Sequence, residues 1–307
     1  MMFPKTEEIE KTYAHTMCEI KKLNKENFLS ARSGFRYYFF RKICALKIFG
    51  KLFGAYLRKI EESSRNYEVK DVLNDYSFVS EKKIAVYTVV FGGYDNINEP
   101  VVIPDNCDFY LITDKPIKTE SNSIWVEKNL KEHTIHIENL SNIEKNRYCK
   151  MFPNKLFPEY EYSIYIDGNV QVMTDPTEFI QEMNSYGLKL HKHYRRECVY
   201  EEINKCIDLG KDNKDRLLTH KEHLIEKNMP EQYGMLEAPI IVREHNNPKC
   251  IKLMEEWWHE FSHYSKRDQI SLPYVLWKND ISIDDVGTLG NDIYSNYAFR
   301  KKKHNSI

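Results

Sequence analysis

The sequence predicts an α/β fold: a mostly parallel, twisted sheet flanked by helices, with a helical extension ahead of it. Three observations carry this prediction. From Lys82 onward, β-branched and aromatic runs alternate with helical patterns, as expected when parallel strands are joined by crossover helices. Residues 1–80 differ in texture, being charged and helical, so the chain divides into 1–80 and 81–307. Three of the strand-like runs also end in glycine or aspartate, and open α/β sheets bind ligands beyond the carboxyl ends of their strands.

The elements follow in order. "KKIAVYTVVFGGYD" (82–95) is a buried strand closed by a Gly-Gly turn. "CDFYLITDKP" (107–116) is a second strand, stopped at Asp114 and Pro116, and "SIWVEKN" (123–129) a third. "NIEKNRYCKMFPNKLFP" predicts a helix from Asn142 that stops before Pro153. "YSIYIDGN" (162–169) is a strand, and a helix is expected over 175–184 with Asp175 as cap and Pro176 at its first position. "GLKLHKH" (187–193) and "EAPIIVREH" (237–245) read as strands. Helices are expected over 198–210, ended by Gly210, over 248–264, and from Asp268 and Gln269 onward. Trp257, Trp258 and Trp277 fit core positions better than sugar platforms.

Composition narrows the function. Lysine plus arginine number 45 and aspartate plus glutamate 46 among 307 residues, so bulk charge gives no reason to expect a nucleic-acid partner. Seven cysteines (18, 44, 107, 149, 198, 206 and 250) are scattered without a Cys-x-x-Cys pair, which suits a reduced cytoplasmic compartment and argues against a zinc site. The opening "MMFPKTEEIEKTYAH" is charged and lacks the apolar core of a secretory signal. The stretch 35–62 mixes aromatic and aliphatic bulk with seven lysines and arginines. It is either a helix packed on the main domain or an interfacial helix that holds the protein at the inner face of the membrane.

The chemistry gathers at "EYSIYIDGNVQV" (161–172). Asp167-Gly168-Asn169 is an ordinary turn sequence, yet a carboxylate ending an apolar strand is costly unless a charge meets it. Asp95 and Asp114, each a turn former on its own, close two further strands, so the three acids converge at one sheet edge. Asp167 and the amide oxygen of Asn169 suit a hard divalent cation, manganese or magnesium, that would offset charge on a leaving diphosphate. Arg147 and Lys150 are candidate phosphate partners or members of a solvated helix face. Gly92-Gly93 continues into neither a dinucleotide nor a triphosphate cradle. An Asp-x-Asp phosphatase reading also fails, because the acid comes late in the fold and lacks its second carboxylate.

Six segments in order, "YTVVFGGYD", "YLITD", "YCKMFPNKLFPEYEYSIYIDGNVQV", "HKHYRRECVYEEI", "EAPIIVREHNNP" and "KRDQISLPYVLWK", resemble the glycosyltransferase-like domain shared by bacterial polysaccharide-synthesis proteins and plant mucilage-related proteins. The resemblance covers roughly residues 82–280. It implies a GT-A fold, a nucleotide-sugar donor with UDP favoured, and Asp167-Gly168-Asn169 in place of the Asp-x-Asp metal motif, with Asn169 standing where many relatives carry a second acid. It implies donor contacts along Thr88, Phe91, Gly92, Tyr94 and Asp95, with Asp114 at the base or ribose. Arg147, Lys150, Asp167, Gly168 and Asn169 complete the donor set. On the acceptor side it implies His191, Arg195 and Gln269. The catalytic base is expected at Asp268, or at Glu237; as plain structure Asp268 would be a helix cap. The expected function is sugar transfer to a glycan or lipid-linked acceptor in bacterial surface-polysaccharide synthesis. The alternative is a non-catalytic nucleotide- or carbohydrate-binding module of a synthesis complex.

Overall fold

The computed structural model describes residues 83–302 apart from 94, 96, 115–122, 129 and 131–136. The expected helical region 1–80, the stretch 35–62, Tyr94 and residues 303–307 lie outside the described residues. Eight strands follow in order: β1 Ile84–Val90, β2 Cys107–Thr113, β3 Val126–Glu127, β4 Tyr162–Ile166, β5 Val170–Val172, β6 Leu188–Lys192, β7 Leu236–Glu244 and β8 Phe299–Lys301. Six of them form one sheet in the order β3-β2-β1-β4-β7-β6, and β5 pairs with β8 in a second sheet of two. The β1, β2, β3 and β4 pairings are parallel, whereas β7 runs antiparallel to both β4 and β6. The sheet is therefore mostly parallel, with one reversed strand.

Every residue of β1 is buried, which requires cover on both faces, and parallel strands of this kind are hydrophobic throughout. Alternate residues feed two cores, since side chains along a strand point to opposite faces. Tyr87, Val89, Tyr165 and Ile241 join one core with Met151, Phe157, Trp257 and Phe261. Ile84, Val86, Ile164, Ile166 and Ile240 join the other with Val170 and Phe299. Trp257 is fully buried, in keeping with its expected core position.

Seven helices pack around the sheet among the described residues: α1 Asn142–Met151, α2 Pro153–Leu156, α3 Val199–Asp208, α4 Lys214–Glu226, α5 Pro248–His263, α6 Asp268–Lys278 and α7 Ile283–Val286. Helix α1 opens with a capping box. Ser141 Oγ accepts the Glu144 N–H and the Glu144 carboxylate accepts the Ser141 N–H at 3.0 Å. It ends before Pro153, as the proline requires.

Two expectations differ from the structure. The helix expected over 175–184 is a single 3-10 turn, Thr177–Ile180, because Gln181 is extended and Glu182 has a left-handed φ of 48°. Asp175 still caps it by accepting the Thr177 N–H at 2.8 Å, with Pro176 in the cap position rather than the first helical one. Helix α4 was not expected. Its buried face is narrow, Leu217, His220 and Leu224 at spacings of three and four, while Leu218 and Ile225 are exposed along an otherwise polar segment.

Candidate active site

The carboxyl ends of β1, β2 and β4 lie side by side in parallel register, so their loops share one edge. There the Gly92 N–H donates to Asp114 Oδ1 at 2.8 Å, tying the β1 loop to the end of β2. One Asp114 oxygen thus serves the turn, which is a structural role beside the nucleoside contact expected of it. Gly92 holds a φ of +73°, a backbone conformation that favours glycine; a Cβ there would meet only the exposed side-chain end of Asn142, which can move aside. Gly168 is selected by space alone. A Cβ would fall 2.9 Å from Val90 Cγ2 and 3.0 Å from Asp95 Cβ. Glycine between Asp167 and Asn169 lets the β4 loop lie against the β1 loop, with buried Asp95 packed beside it.

Asp167 ends β4 with its side chain 31% exposed. Its Oδ1 accepts a hydrogen bond from the Tyr165 hydroxyl at 2.8 Å and lies 3.9 Å from Lys150 Nζ. Burial, then the charge of Asp167, push the Tyr165 phenol well above its ordinary value, so it remains a donor. Lys150 is buried, donates to Asp268 Oδ2 at 2.6 Å, and sits 5.0 Å from the Tyr165 ring centre. Arg147 Nε lies 3.1 Å from the same Asp268 oxygen. Asp268 therefore holds two cations of α1, one of them also within reach of Asp167. Arg243, fully buried on β7, locks the arrangement from below. It donates to the Lys150 carbonyl at 2.7 Å and to the Tyr87 hydroxyl at 2.6 Å.

This geometry corrects the expectation that Asp268 is the general base. Burial opposes its charge, but Arg147 and Lys150 hold its carboxyl well below the usual carboxylate range. A carboxylate so paired, with a side chain 4% exposed, takes up protons weakly and presents little surface to an acceptor. Nor is it a cap: Arg267 occupies that position of α6 and no side chain caps the helix. Asp268 positions the two cations instead.

The two expected metal ligands sit differently. Magnesium is commonly held by one or two carboxylates together with substrate phosphates. Asp167, partly exposed at the sheet edge, fits that role. Asn169 has a structural task beside the ligation expected of its amide oxygen: its buried side-chain NH2 donates to the Lys302 carbonyl at 2.9 Å and its backbone carbonyl accepts the Lys302 N–H. It fastens β5 to the segment after β8. Among the described residues, no group of three or more His, Cys, Asp or Glu is arranged to hold a metal.

Across β7 the chemistry is different. The Asp167 N–H donates to the Pro239 carbonyl at 2.8 Å, and Glu237 lies two residues further along the same strand, opposite His191 on β6. Burial pushes Glu237 up to about 6, against the Ile293 and Tyr194 N–H groups and Lys301, which favour its charge. A carboxyl titrating near neutrality suits proton transfer. His191 is fully buried and its Nε2 lies 2.9 Å from Asn296 Nδ2, so the expected sugar contact is corrected to a supporting side chain. Arg195 is exposed over the Tyr194 ring at 4.7 Å. Gln269 is half-buried in the first turn of α6. Two expected donor contacts are likewise drawn inward: Phe91 joins a core, and Thr88 is buried within β1. Sequence reasoning missed Tyr165 and Tyr194, although their partners Asp167 and Arg195 are near neighbours in the chain, and Arg243 and Tyr294, whose partners are distant.

A family model described as a TOD1/MUCI70 glycosyltransferase-like domain matches residues 54–289. The probable hexosyltransferase MUCI70 of Arabidopsis thaliana is 26% identical over 223 residues, covering 62% of this chain. The chain spans only 37% of that relative's length. Similar solved structures include the bifunctional glycosyltransferase WbbM, at 15% identity and a TM-score of 0.38, covering 64% of this chain and 38% of that one. Mouse xyloside xylosyltransferase 1 has 7% identity and a TM-score of 0.42, covering 64% and 82%. Likeness at this level transfers no residue role. The sheet is helix-flanked and mostly parallel with one reversed strand, an α/β fold, and the chain belongs to the TOD1/MUCI70 glycosyltransferase-like domain family.

Proposed function

We propose that this glycosyltransferase-like domain transfers a hexose from a nucleotide-sugar donor, with a UDP-sugar favoured, to a glycan or lipid-linked acceptor in surface-polysaccharide assembly. The observation that carries this reading is the meeting of Asp167 with buried Lys150 at a sheet edge, Lys150 and Arg147 being held together by Asp268. Arg147, with a side chain 21% exposed, would meet the leaving diphosphate, and Lys150, 2% exposed and paired with Asp268, would act on it as a pre-placed charge rather than by contact, at no reorganisation cost during reaction. A divalent cation bound by Asp167 and the donor phosphates would supply further positive charge there. Glu237 is the proposed base. It would take the proton of an acceptor hydroxyl as that oxygen bonds to the sugar's anomeric carbon and the bond to the diphosphate breaks, its electron pair leaving with the diphosphate.

Release of nucleoside diphosphate from a panel of nucleotide sugars tests the reading, with and without manganese. Asp167→Ala should slow release by about 100-fold or more while unfolding at the wild-type temperature, because Lys150 retains Asp268 as its partner. Near-normal release by the folded variant would refute the assignment of Asp167.

A further inference from the structure

Beyond the end of β6 the chain opens a cavity of about 290 Å³, lined by His193, Tyr194, Arg195, Glu197, Glu201 and Gln232 among others. That is near the lower end of the usual range for small-ligand pockets, which begins at about 300 Å³. Tyr194 forms its aromatic wall, and the ring of Tyr294 meets Tyr194 edge-on, 5.4 Å away at 72°. Tyr294 is 58% exposed, an unusual position for a large ring that could otherwise pack in a core. The two rings are held in place. His193 stacks on Tyr194 with its plane 16° away, and its Nδ1 accepts the N–H groups of Arg195 and Arg196 at 3.1 Å each. The Arg195 guanidinium covers the Tyr194 ring.

The backbone of this aromatic pair reaches the proposed base. The Glu237 carboxylate accepts N–H groups from Tyr194 and from Ile293, the residue before Tyr294. One carboxyl group is therefore anchored at the foot of both rings. We infer that Tyr294, braced by Tyr194, and the rim of this cavity form the acceptor subsite, taking a neutral, hydroxyl-rich glycan whose apolar C–H face stacks on the exposed Tyr294 ring, the Tyr194 ring being covered by His193 and Arg195. Glu197, Glu201 and Gln232 would read its hydroxyls. Planar rings with a polar rim suit a sugar, which is apolar on its faces and polar at its edge. The cavity carries two carboxylates against one guanidinium, a balance that disfavours polyanionic chains. This inference rests on the transferase reading in taking Glu237 as the base.

The test is binding without turnover. Neutral oligosaccharides (cello-, xylo-, manno- and malto-hexaose) and an oligogalacturonate would be titrated into the full chain by saturation-transfer NMR. Nucleotide-sugar binding would be followed separately by thermal shift. At least one neutral glycan should bind more tightly than the oligogalacturonate. Tyr294→Ala should weaken that binding about tenfold, within the worth of one aromatic stack, and Tyr294→Phe should keep it within about twofold of wild type. The proposal is overturned if no neutral glycan binds, if the oligogalacturonate binds better, or if Tyr294→Ala and Tyr194→Ala both bind like wild type. Nucleotide sugar bound without glycan would sink this inference alone; glycan bound without any nucleotide sugar would sink the transferase reading and leave Tyr294 a glycan site with no acceptor role.

Discussion

At the end of β4 both carboxylates meet a cation, Asp167 at 3.9 Å and Asp268 at 2.6 Å from the same lysine. Across β7, Glu237 is buried with backbone N–H groups as its hydrogen-bond donors. The two regions share a sheet edge and treat charge in opposite ways. Near Lys150 each charge faces a counter-charge placed in advance, Asp268 and Asp167 opposing the burial that lowers the Lys150 pKa, as suits an anion whose charge grows during reaction. At Glu237 the charge is movable near neutral pH, as suits a group that must take up a proton. The contrast teaches that burial alone does not define a catalytic acid. Asp268 and Glu237 are similarly buried, and what separates them is whether a cation lies within hydrogen-bond reach.

The largest effect should come from removing the movable charge. Glu237→Gln should lower turnover by about 100- to 10,000-fold while nucleotide-sugar affinity is kept. In the wild type, rate should rise with pH through about 6, where Glu237 loses its proton, and the variant should lack that limb. Stability moves the other way. Folding raises this carboxyl from 4.5 to about 6, so its contribution is full below pH 4.5 and is lost as pH rises through 6. A variant with wild-type turnover, or with the acid limb unchanged, would remove Glu237 from the chemistry.

Breaking the fixed charges comes next. Asp268→Asn strands Lys150 and Arg147 in the interior, and removing one partner of a buried ion pair typically costs about 3–5 kcal/mol. The urea midpoint should fall accordingly, and activity with it. Because folding lowers the Asp268 pKa from its ordinary 3.8, its stabilisation is present above that value and lost as pH falls below it. The wild type should therefore lose stability in acid more steeply than the variant. Parallel acid titrations of wild type and variant would show that Asp268 does not anchor the network.

The part of the site legible in the sequence is the part written locally. The apolar run Tyr162–Ile166 announces a strand, and the acid, glycine and amide after it announce a strand-end loop. The same is true of Gly92-Gly93 after β1, and the alternation of strands with helices was enough to predict the sheet. What could not be read is pairing across distance. Lys150 and Asp268 are 118 residues apart and Arg243 and Tyr87 are 156 apart, so no local pattern says which cation quiets which acid. Thr88 and Phe91 were expected at the donor for a related reason. Their position near a strand end was visible, but which face of the sheet each side chain takes depends on what packs there.

Asn169 offers the smallest and sharpest test, because sequence and structure give it different work. As a metal ligand, Asn169→Asp would supply the missing second acid and tighten manganese binding. In the structure its amide is a donor to the Lys302 carbonyl, and a carboxylate there would set oxygen against oxygen in a buried position. The variant should lose about 1–3 kcal/mol, the cost of leaving a buried polar group without its partner. The loss should be local, since this residue joins β5 to the chain after β8 through both its side chain and its backbone. Amide hydrogen exchange should accelerate at Lys302 and along β5 and β8 while β1 and β4 stay protected. Manganese affinity, measured by calorimetry in the presence of a nucleoside diphosphate, should not rise. Tighter manganese binding with unchanged exchange would make the residue at 169 a ligand and the donor side a two-residue metal site.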